Sequence, residues 1–251
     1  MRTRRDKGRD EASPQDVAPL RSRRVTLPRV LLAHGFLSSF ELNWRETGFA
    51  DLLQDMGREV IPFDFPGHGT ADKPHDPEAY ADLPGVLDAA LPPDEVVDAV
   101  GFSMGALQLL TLATRRPERF RRLVLAGIGE NVFADHDRSG VADAIERGIE
   151  PDDNITTKFF VQSSLIPGND PKALAACMRR MHTPLTEDDL ATVTMPVLVV
   201  IGDKDFAGPA DRLVAALPDA KHVVLRNTEH FATPKSFGFF DATLDFLAVE
   251  G

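Results

Sequence analysis

The segment Gly101-Phe102-Ser103-Met104-Gly105 lies between two apolar stretches of different periodicity. Residues 96–100 before it are typical of a buried strand, and residues 106–116 after it have the apolar spacing of a helix. A chain that passes from strand to helix within five residues must turn sharply, and the flanking positions require glycine because a Cβ would collide with a neighbouring strand or helix. The segment therefore predicts a serine hydroxyl presented at a sheet edge, although a glycine-rich turn without chemistry fits the five residues alone. At the start of a helix, free N–H groups favour developing negative charge.

Predicted strands and helices alternate along most of the chain, which indicates an α/β fold with a mostly parallel, doubly wound sheet. The strand pattern stops at residues 130–189, where helical stretches and breakers predict an inserted cap; residues 25–129 and 190–251 form the core. The predicted strands cover residues 29–33, 60–64, 96–100, 122–127, 196–203 and 222–225. Further helices are predicted at 44–56, at 77–91 with an interruption at Pro84, at 210–217 and at 237–247.

Charge is distributed unevenly along the chain. Residues 1–24 contain eight Lys or Arg against four Asp or Glu, whereas the whole chain carries a net charge of −11. The acidic body disfavours nucleic acid as a partner, and the basic segment 1–24 is predicted to be a disordered tail. No apolar run is long enough to span a membrane, and no apolar segment follows the first arginines as in a secretory signal. We expect a cytoplasmic protein whose partner is a small-molecule substrate.

The cysteine and histidine residues do not indicate a metal site or an internal disulfide. The single cysteine, Cys177, lies in an apolar helical stretch, where a buried structural thiol is expected. The seven histidines show no metal-binding spacing, so neither a metal nor a cofactor is predicted.

Candidate partners for Ser103 are sought at the carboxyl ends of the strands, where catalytic groups gather in an open parallel sheet. A serine nucleophile needs a base near neutral pKa, and His230 follows the last strand, whereas His222 lies at its opposite end. The base in turn needs a carboxylate to orient it. Asp205 is the predicted one, because Asp203 directly ends its strand and is expected to hold the loop.

These segments together resemble the α/β-hydrolase superfamily over roughly residues 29–249. The matching segments are His34-Gly35-Phe36, Asp64-Phe65-Pro66-Gly67-His68-Gly69, the serine turn, Gly202-Asp203-Lys204-Asp205 and Glu229-His230-Phe231. The resemblance implies an oxyanion hole formed by the N–H groups of Phe36 and Met104. It implies a bracing role for His34, Asp64 and His68. The chain departs from the family in its short cap. Only residues 17–27 are available for the usual N-terminal β-hairpin, so the sheet is expected to lack one or both of its strands.

The predicted function is that of a serine hydrolase cleaving a small to medium, mainly apolar carboxylic ester through an acyl-enzyme. Phenylalanines of the cap and of the histidine loop are candidates for the substrate pocket, namely Phe133, Phe159, Phe160 and Phe231. The acidic body favours an uncharged acyl chain. Thioester hydrolysis, carbon–carbon bond hydrolysis and cofactor-free perhydrolysis use the same triad, and a non-catalytic small-molecule receptor or scaffold uses the same fold.

Overall fold

The computed structural model describes residues 27–134, 137–180 and 183–249. Its centre is a sheet whose strands β1 to β6 span, in chain order, Val30–Ala33, Val60–Phe63, Val97–Phe102, Phe120–Ala126, Val197–Gly202 and Ala220–Leu225. Their order across the sheet is β2-β1-β3-β4-β5-β6, and every neighbouring pair is parallel. The prediction of a mostly parallel sheet is confirmed.

Nine α-helices connect and cover the strands within the described ranges. Helices α1 to α9 span Phe49–Asp55, Leu83–Ala90, Met104–Arg115, Ser139–Arg147, Ile155–Ser164, Pro171–Arg179, Glu187–Leu190, Asp211–Ala216 and Phe237–Ala248. Shorter helical turns occur at Glu41–Arg45, Pro77–Tyr80, Pro117–Arg119, Glu130–Phe133 and His230–Lys235. None of these helices is long and apolar enough to cross a bilayer.

Each face of the sheet carries its own apolar core, as the two-residue repeat of a fully buried strand requires. In β1, Leu31 and Ala33 belong to the cluster that contains much of α3, whereas Val30 and Leu32 belong to the cluster with α1 and α9. All four side chains are fully buried. Helices on both faces confirm the doubly wound arrangement.

Two predicted helices are each divided into a short helical turn and a separate α-helix. The helix predicted at 44–56 is a π-helical turn, Glu41–Arg45, followed by α1, and the two are separated at Gly48, whose φ is +80°. The helix predicted at 77–91 divides before Pro84, not at it. Pro84 lies in the first turn of α2, where a missing N–H costs no hydrogen bond.

The segment between β4 and β5 contains the helices α4 to α7. Buried side chains of α4 and α6 form a separate apolar cluster with Leu37, from the loop that follows β1. These helices therefore cover the carboxyl end of β1, while the division at residues 130 and 189 stays a prediction. The predicted tail, residues 1–24, lies outside the described residues.

A buried ion-pair cluster joins elements at the amino end of the sheet. Asp98 in β3 is fully buried, and its carboxylate accepts hydrogen bonds from Arg58 and, at 2.9 and 2.6 Å, from Nε and Nη2 of Arg121. Arg58 also donates to the carbonyl oxygens of Pro28 and Leu247. One carboxylate thereby connects β3, β4 and the end of α9.

Asp98→Ala is expected to lower the free energy of unfolding by about 3–5 kcal/mol, because it leaves the buried Arg58 guanidinium without a counter-charge. Chemical denaturation at neutral pH measures the change. Glu95→Ala is the matched control, since Glu95 pairs with Arg29 at 2.7 Å with about half its side chain exposed, and it should leave the unfolding midpoint close to wild type. Equal losses in the two variants would contradict the prediction.

Candidate active site

Ser103 lies in the turn between β3 and α3. Its φ of +53° and ψ of −113° are uncommon for a residue with a Cβ. The Ser103 N–H donates to the carbonyl oxygen of Ala126 at 2.8 Å, which ties the turn to the end of β4. The strained conformation is thus held by the neighbouring strand.

The two glycines of the turn are required by close backbone contacts. A Cβ on Gly105 would lie 2.2 Å from the carbonyl oxygen of Ala33 in β1. A Cβ on Gly101 would lie 2.6 Å from the backbone of Ala106. Helix α3 can therefore approach the sheet closely only with glycine at both positions.

Three polar side chains from three strand ends form one hydrogen-bonded chain. The imidazole Nε2 of His230 lies 2.9 Å from the Ser103 Oγ, and its Nδ1 lies 2.8 and 2.9 Å from the two carboxylate oxygens of Asp205. Because a carboxylate only accepts, Nδ1 carries the proton and Nε2 accepts from the Ser103 hydroxyl. The side chains of His230 and Asp205 are 3% and 0% exposed, which shields these bonds from water.

The Asp205 and His230 loops are held by further hydrogen bonds. Asp205 Oδ1 also accepts from the N–H of Ala207 at 2.8 Å. Asp203, which the sequence assigns to loop support, accepts from the N–H of Thr228 at 3.2 Å and does not reach the imidazole. The structure thus places Asp203 and Asp205 in different positions relative to His230.

Aromatic rings enclose the imidazole. The His230 ring lies between Phe206, with centroids 4.2 Å apart, and Phe102, at 4.9 Å, and it meets Phe231 edge-on at 5.0 Å. Phe102 and Phe206 were not singled out from the sequence, although one lies inside the serine turn and the other directly follows Asp205. These contacts restrict rotation of the imidazole.

Phe36 and Met104, whose N–H groups are predicted to form an oxyanion hole, follow the strands β1 and β3. The first intrahelical hydrogen bond of α3 runs from Leu107 N to Ser103 O, so the N–H of Met104 has no acceptor within the helix. Phe36 follows β1, and Gly35 before it is fixed by a 2.9 Å hydrogen bond from its N–H to Asn43 Oδ1. Both Phe36 and Met104 line the cavity above Ser103.

The cavity has a volume of about 180 Å³. Phe160 and Phe231 line it, as the sequence predicts, but Phe133 and Phe159 are outside its lining. Phe133 packs on the core beneath the Arg212 guanidinium, 3.9 Å from its ring centroid, and Phe159 stacks on the outer side of Phe231 at 4.4 Å. Lining residues that sequence reasoning missed are Phe102, Leu107, Ile128, Asn131, Arg138, Val141, Met178, Arg180 and Phe206.

The sequence of residues 28–181 matches the family model described as the alpha/beta hydrolase fold. The chain belongs to the α/β-hydrolase family. The match covers more than half of the chain and includes the serine turn. Among the described residues of this hydrolase, no three His, Cys, Asp or Glu side chains converge in a metal-binding arrangement.

Two curated relatives are similar to this α/β hydrolase in sequence. The mouse (Mus musculus) sn-1-specific diacylglycerol lipase ABHD11 is 36% identical over 107 residues, which are 41% of this chain and 34% of the mouse protein. The pimeloyl-[acyl-carrier protein] methyl ester esterase of Neisseria meningitidis serogroup A is 28% identical over 231 residues, covering 80% of this chain and 70% of that protein. The chain thus spans only about a third of the first relative but most of the second.

A solved structure shows the same fold. The thermophilic esterase from Thermogutta terrifontis superposes with a TM-score of 0.67 at 22% identity, and the superposition covers 88% of this chain and 90% of that one. A similarity at 22% identity shows that the two proteins share the arrangement of strands and helices.

Two buried histidines brace the loop that carries Phe36. His34 donates from Nδ1 to the Gly35 carbonyl oxygen at 2.8 Å, and its Nε2 accepts from Phe65 N at 3.1 Å. His68 donates from Nδ1 to the Pro66 carbonyl oxygen at 3.0 Å and packs its ring edge-on against Phe36. Burial lowers the pKa of His34 to about 4 and that of His68 to about 3, so both rings are neutral at physiological pH.

These lowered pKa values predict a loss of stability on acidification. Below pH 6.5 the unfolded chain binds protons at both imidazoles while the folded chain does not, so the free energy of unfolding falls as pH falls towards 4. Each histidine contributes on the order of 1 kcal/mol per pH unit across that window. The double variant His34→Gln/His68→Gln should show a shallower decline when urea denaturation is compared at pH 7 and pH 5.

The exposed His75 provides the control for removing an imidazole, since 54% of its side chain is accessible. His75→Gln should retain the wild-type decline between the two pH values. If the double variant loses as much stability as wild type between pH 7 and pH 5, the buried rings are not the source of the acid sensitivity.

Proposed function

We propose that this α/β hydrolase is a serine esterase that cleaves small to medium, mainly apolar carboxylic esters through an acyl-enzyme. The observation that carries the proposal is the continuous hydrogen-bonded chain from Ser103 Oγ through His230 to Asp205, at 2.9 and 2.8 Å. A serine hydroxyl with a base at Nε2 and a buried carboxylate at Nδ1 is equipped for nucleophilic attack on a carbonyl.

In the proposed first half-reaction, Ser103 Oγ attacks the ester carbonyl carbon and its proton passes to His230 Nε2. Asp205 stabilises the imidazolium and keeps Nδ1 protonated throughout. The N–H groups of Phe36 and Met104 receive the negative charge that develops on the carbonyl oxygen. Collapse of the tetrahedral intermediate breaks the bond to the alcohol, which leaves with the proton from Nε2.

The second half-reaction releases the acid. His230, neutral again, accepts a proton from water as the water oxygen attacks the acyl carbon. The same N–H groups hold the second oxyanion, and Ser103 leaves with the proton returned by Nε2. The cycle restores the starting hydrogen-bonded chain and consumes one water per ester.

The cavity supports a substrate of modest size, and the relatives support action on an ester bond. A volume of about 180 Å³ is below the range of roughly 300–1,000 Å³ that is common for ligand pockets, and most of the lining side chains are apolar. Both curated relatives are named for action on ester bonds, one as a methyl ester esterase and one as a lipase. Ester hydrolysis is therefore the favoured reaction of this site.

The proposal is tested by fluorophosphonate labelling with mass spectrometry, beside hydrolysis of 4-nitrophenyl esters with two to eight acyl carbons. We expect a single phosphonylated peptide that contains Ser103, and ester hydrolysis that disappears in Ser103→Ala. Ser139→Ala, which changes an exposed serine at the start of α4, should retain both properties. Labelling without hydrolysis would favour a receptor of the same fold, and hydrolysis that survives Ser103→Ala would exclude the mechanism.

A further inference from the structure

Two arginines contribute to the wall of the otherwise apolar cavity. Arg138 immediately precedes α4, and Arg180 immediately follows α6, so both belong to the segment that covers the carboxyl end of the sheet. Asn131 is the other polar lining residue apart from Ser103 and His230. A cavity for a wholly apolar ester has no need of two arginines among its lining residues.

Arg180 has no acidic partner among the described residues. Its Nη1 donates to the Cys177 carbonyl oxygen at 2.8 Å, at the last turn of α6, and this bond holds the guanidinium of a residue that lines the cavity. The preceding residue, Arg179, is paired with Asp143 at 2.6 Å and with Glu146 at 2.8 Å. A guanidinium has five N–H donors, so Arg180 retains donors beyond the one bound to Cys177.

The positive charge of Arg180 is close enough to His68 to influence that ring. Burial, followed by the neighbouring His34 and to a smaller extent by the Arg180 charge, lowers the pKa of His68 to about 3. The His68 ring in turn contacts Phe36, with centroids 5.3 Å apart. Because Arg180 lines the cavity, it provides a local positive charge there in a chain whose net charge is −11. A charge in the cavity lining affects a bound substrate more than distant charges do, because solvent and salt screen the distant charges.

We infer that the substrates of this site are esters that also carry a carboxylate, which Arg180 binds while the ester carbonyl lies at Ser103. The inference rests on the proposed esterase function and specifies its substrate class. The planar guanidinium fork matches the two oxygens of a carboxylate, and the apolar wall accommodates the carbon chain between carboxylate and ester. The net charge of the chain favours an uncharged acyl chain. The arginine in the cavity lining favours a substrate with a carboxylate instead.

The test compares charged and neutral esters of matched length. Monomethyl and dimethyl glutarate differ in a single charge on the acyl side, and 4-acetoxybutanoate and its methyl ester differ in the same way on the alcohol side. Wild type is expected to hydrolyse the charged member of at least one pair with the higher kcat/KM. Arg180→Gln should lower kcat/KM for that charged ester by about 10- to 100-fold, as for a lost hydrogen bond to a charged group, and change the neutral ester less than about threefold.

Arg179→Gln is the matched control, because it removes an adjacent arginine whose partners lie outside the cavity lining. It should leave both members of each pair at wild-type rates. A preference for the neutral ester in both pairs, or an equal loss for charged and neutral esters in Arg180→Gln, would overturn the inference while leaving the esterase function intact.

A binding measurement tests the carboxylate site independently of ester hydrolysis. Calorimetric titration with glutarate should give a Kd at least about tenfold weaker in Arg180→Gln than in wild type. If wild type hydrolyses no ester yet binds glutarate through Arg180, the esterase proposal fails and the carboxylate site stands. If glutarate binds equally to both proteins, or to neither, the carboxylate site is excluded.

Discussion

Ser103→Ala and His230→Ala are each expected to lower kcat for ester hydrolysis by about 10⁴- to 10⁶-fold. The reason is geometric. The hydroxyl proton has one acceptor in place, the His230 Nε2 at 2.9 Å, and the imidazole has no other described nucleophile at that distance. Removal of either partner stops proton transfer in the same step, so neither residue retains its contribution without the other. Steady-state kinetics with a 4-nitrophenyl ester measures each loss.

The double variant Ser103→Ala/His230→Ala should therefore be little worse than either single variant. Residual turnover in all three would come from the N–H groups of Phe36 and Met104 and from binding alone. Substrate KM should change far less than kcat. Losses that multiply in the double variant would show that Ser103 and His230 act in separate steps and would contradict the proposed mechanism.

The arrangement of the strand ends explains why the three catalytic candidates could be predicted from the sequence. Parallel pairing puts the carboxyl ends of β3, β5 and β6 at one edge of the sheet, so residues that directly follow these strands must be near one another. Ser103, Asp205 and His230 were singled out on that basis, and the structure brings them into one hydrogen-bonded chain. Short loops left few other positions for them.

The cavity wall was less predictable because it depends on helix packing. Phe159 and Phe160 are adjacent on α5 and therefore point about 100° apart, so that one faces the cavity and the other does not. Which of them faces inward is decided by how α5 sits on α4 and α6, and no periodic pattern in a short cap helix specifies that. The position of Arg180 after α6 could not be predicted either, because the sequence does not distinguish an arginine that lines a cavity from one that is exposed to solvent.

Asp205→Asn and Asp203→Asn test whether the correct carboxylate has been assigned to His230. Both residues follow β5, and they are only two positions apart. The Asp205 side chain is fully buried and accepts from Nδ1 at 2.8 Å, whereas Asp203 is exposed and accepts from the Thr228 N–H at 3.2 Å. An asparagine at 205 presents an amide to Nδ1 and favours the tautomer in which Nε2 carries the proton, so the imidazole can no longer accept from Ser103.

Asp205→Asn is therefore expected to lower kcat by about 10⁴-fold, somewhat less than loss of the serine or the histidine. Asp203→Asn keeps an oxygen that can accept from Thr228, and its kcat should fall by less than about tenfold. Thermal unfolding of both variants checks that each retains the fold, and fluorophosphonate labelling of Ser103 should slow in parallel with kcat. If Asp203→Asn lowers kcat more than Asp205→Asn does, Asp203 would be the carboxylate that orients His230. Loss of a loop-supporting hydrogen bond should lower kcat less than loss of the carboxylate that sets the tautomer.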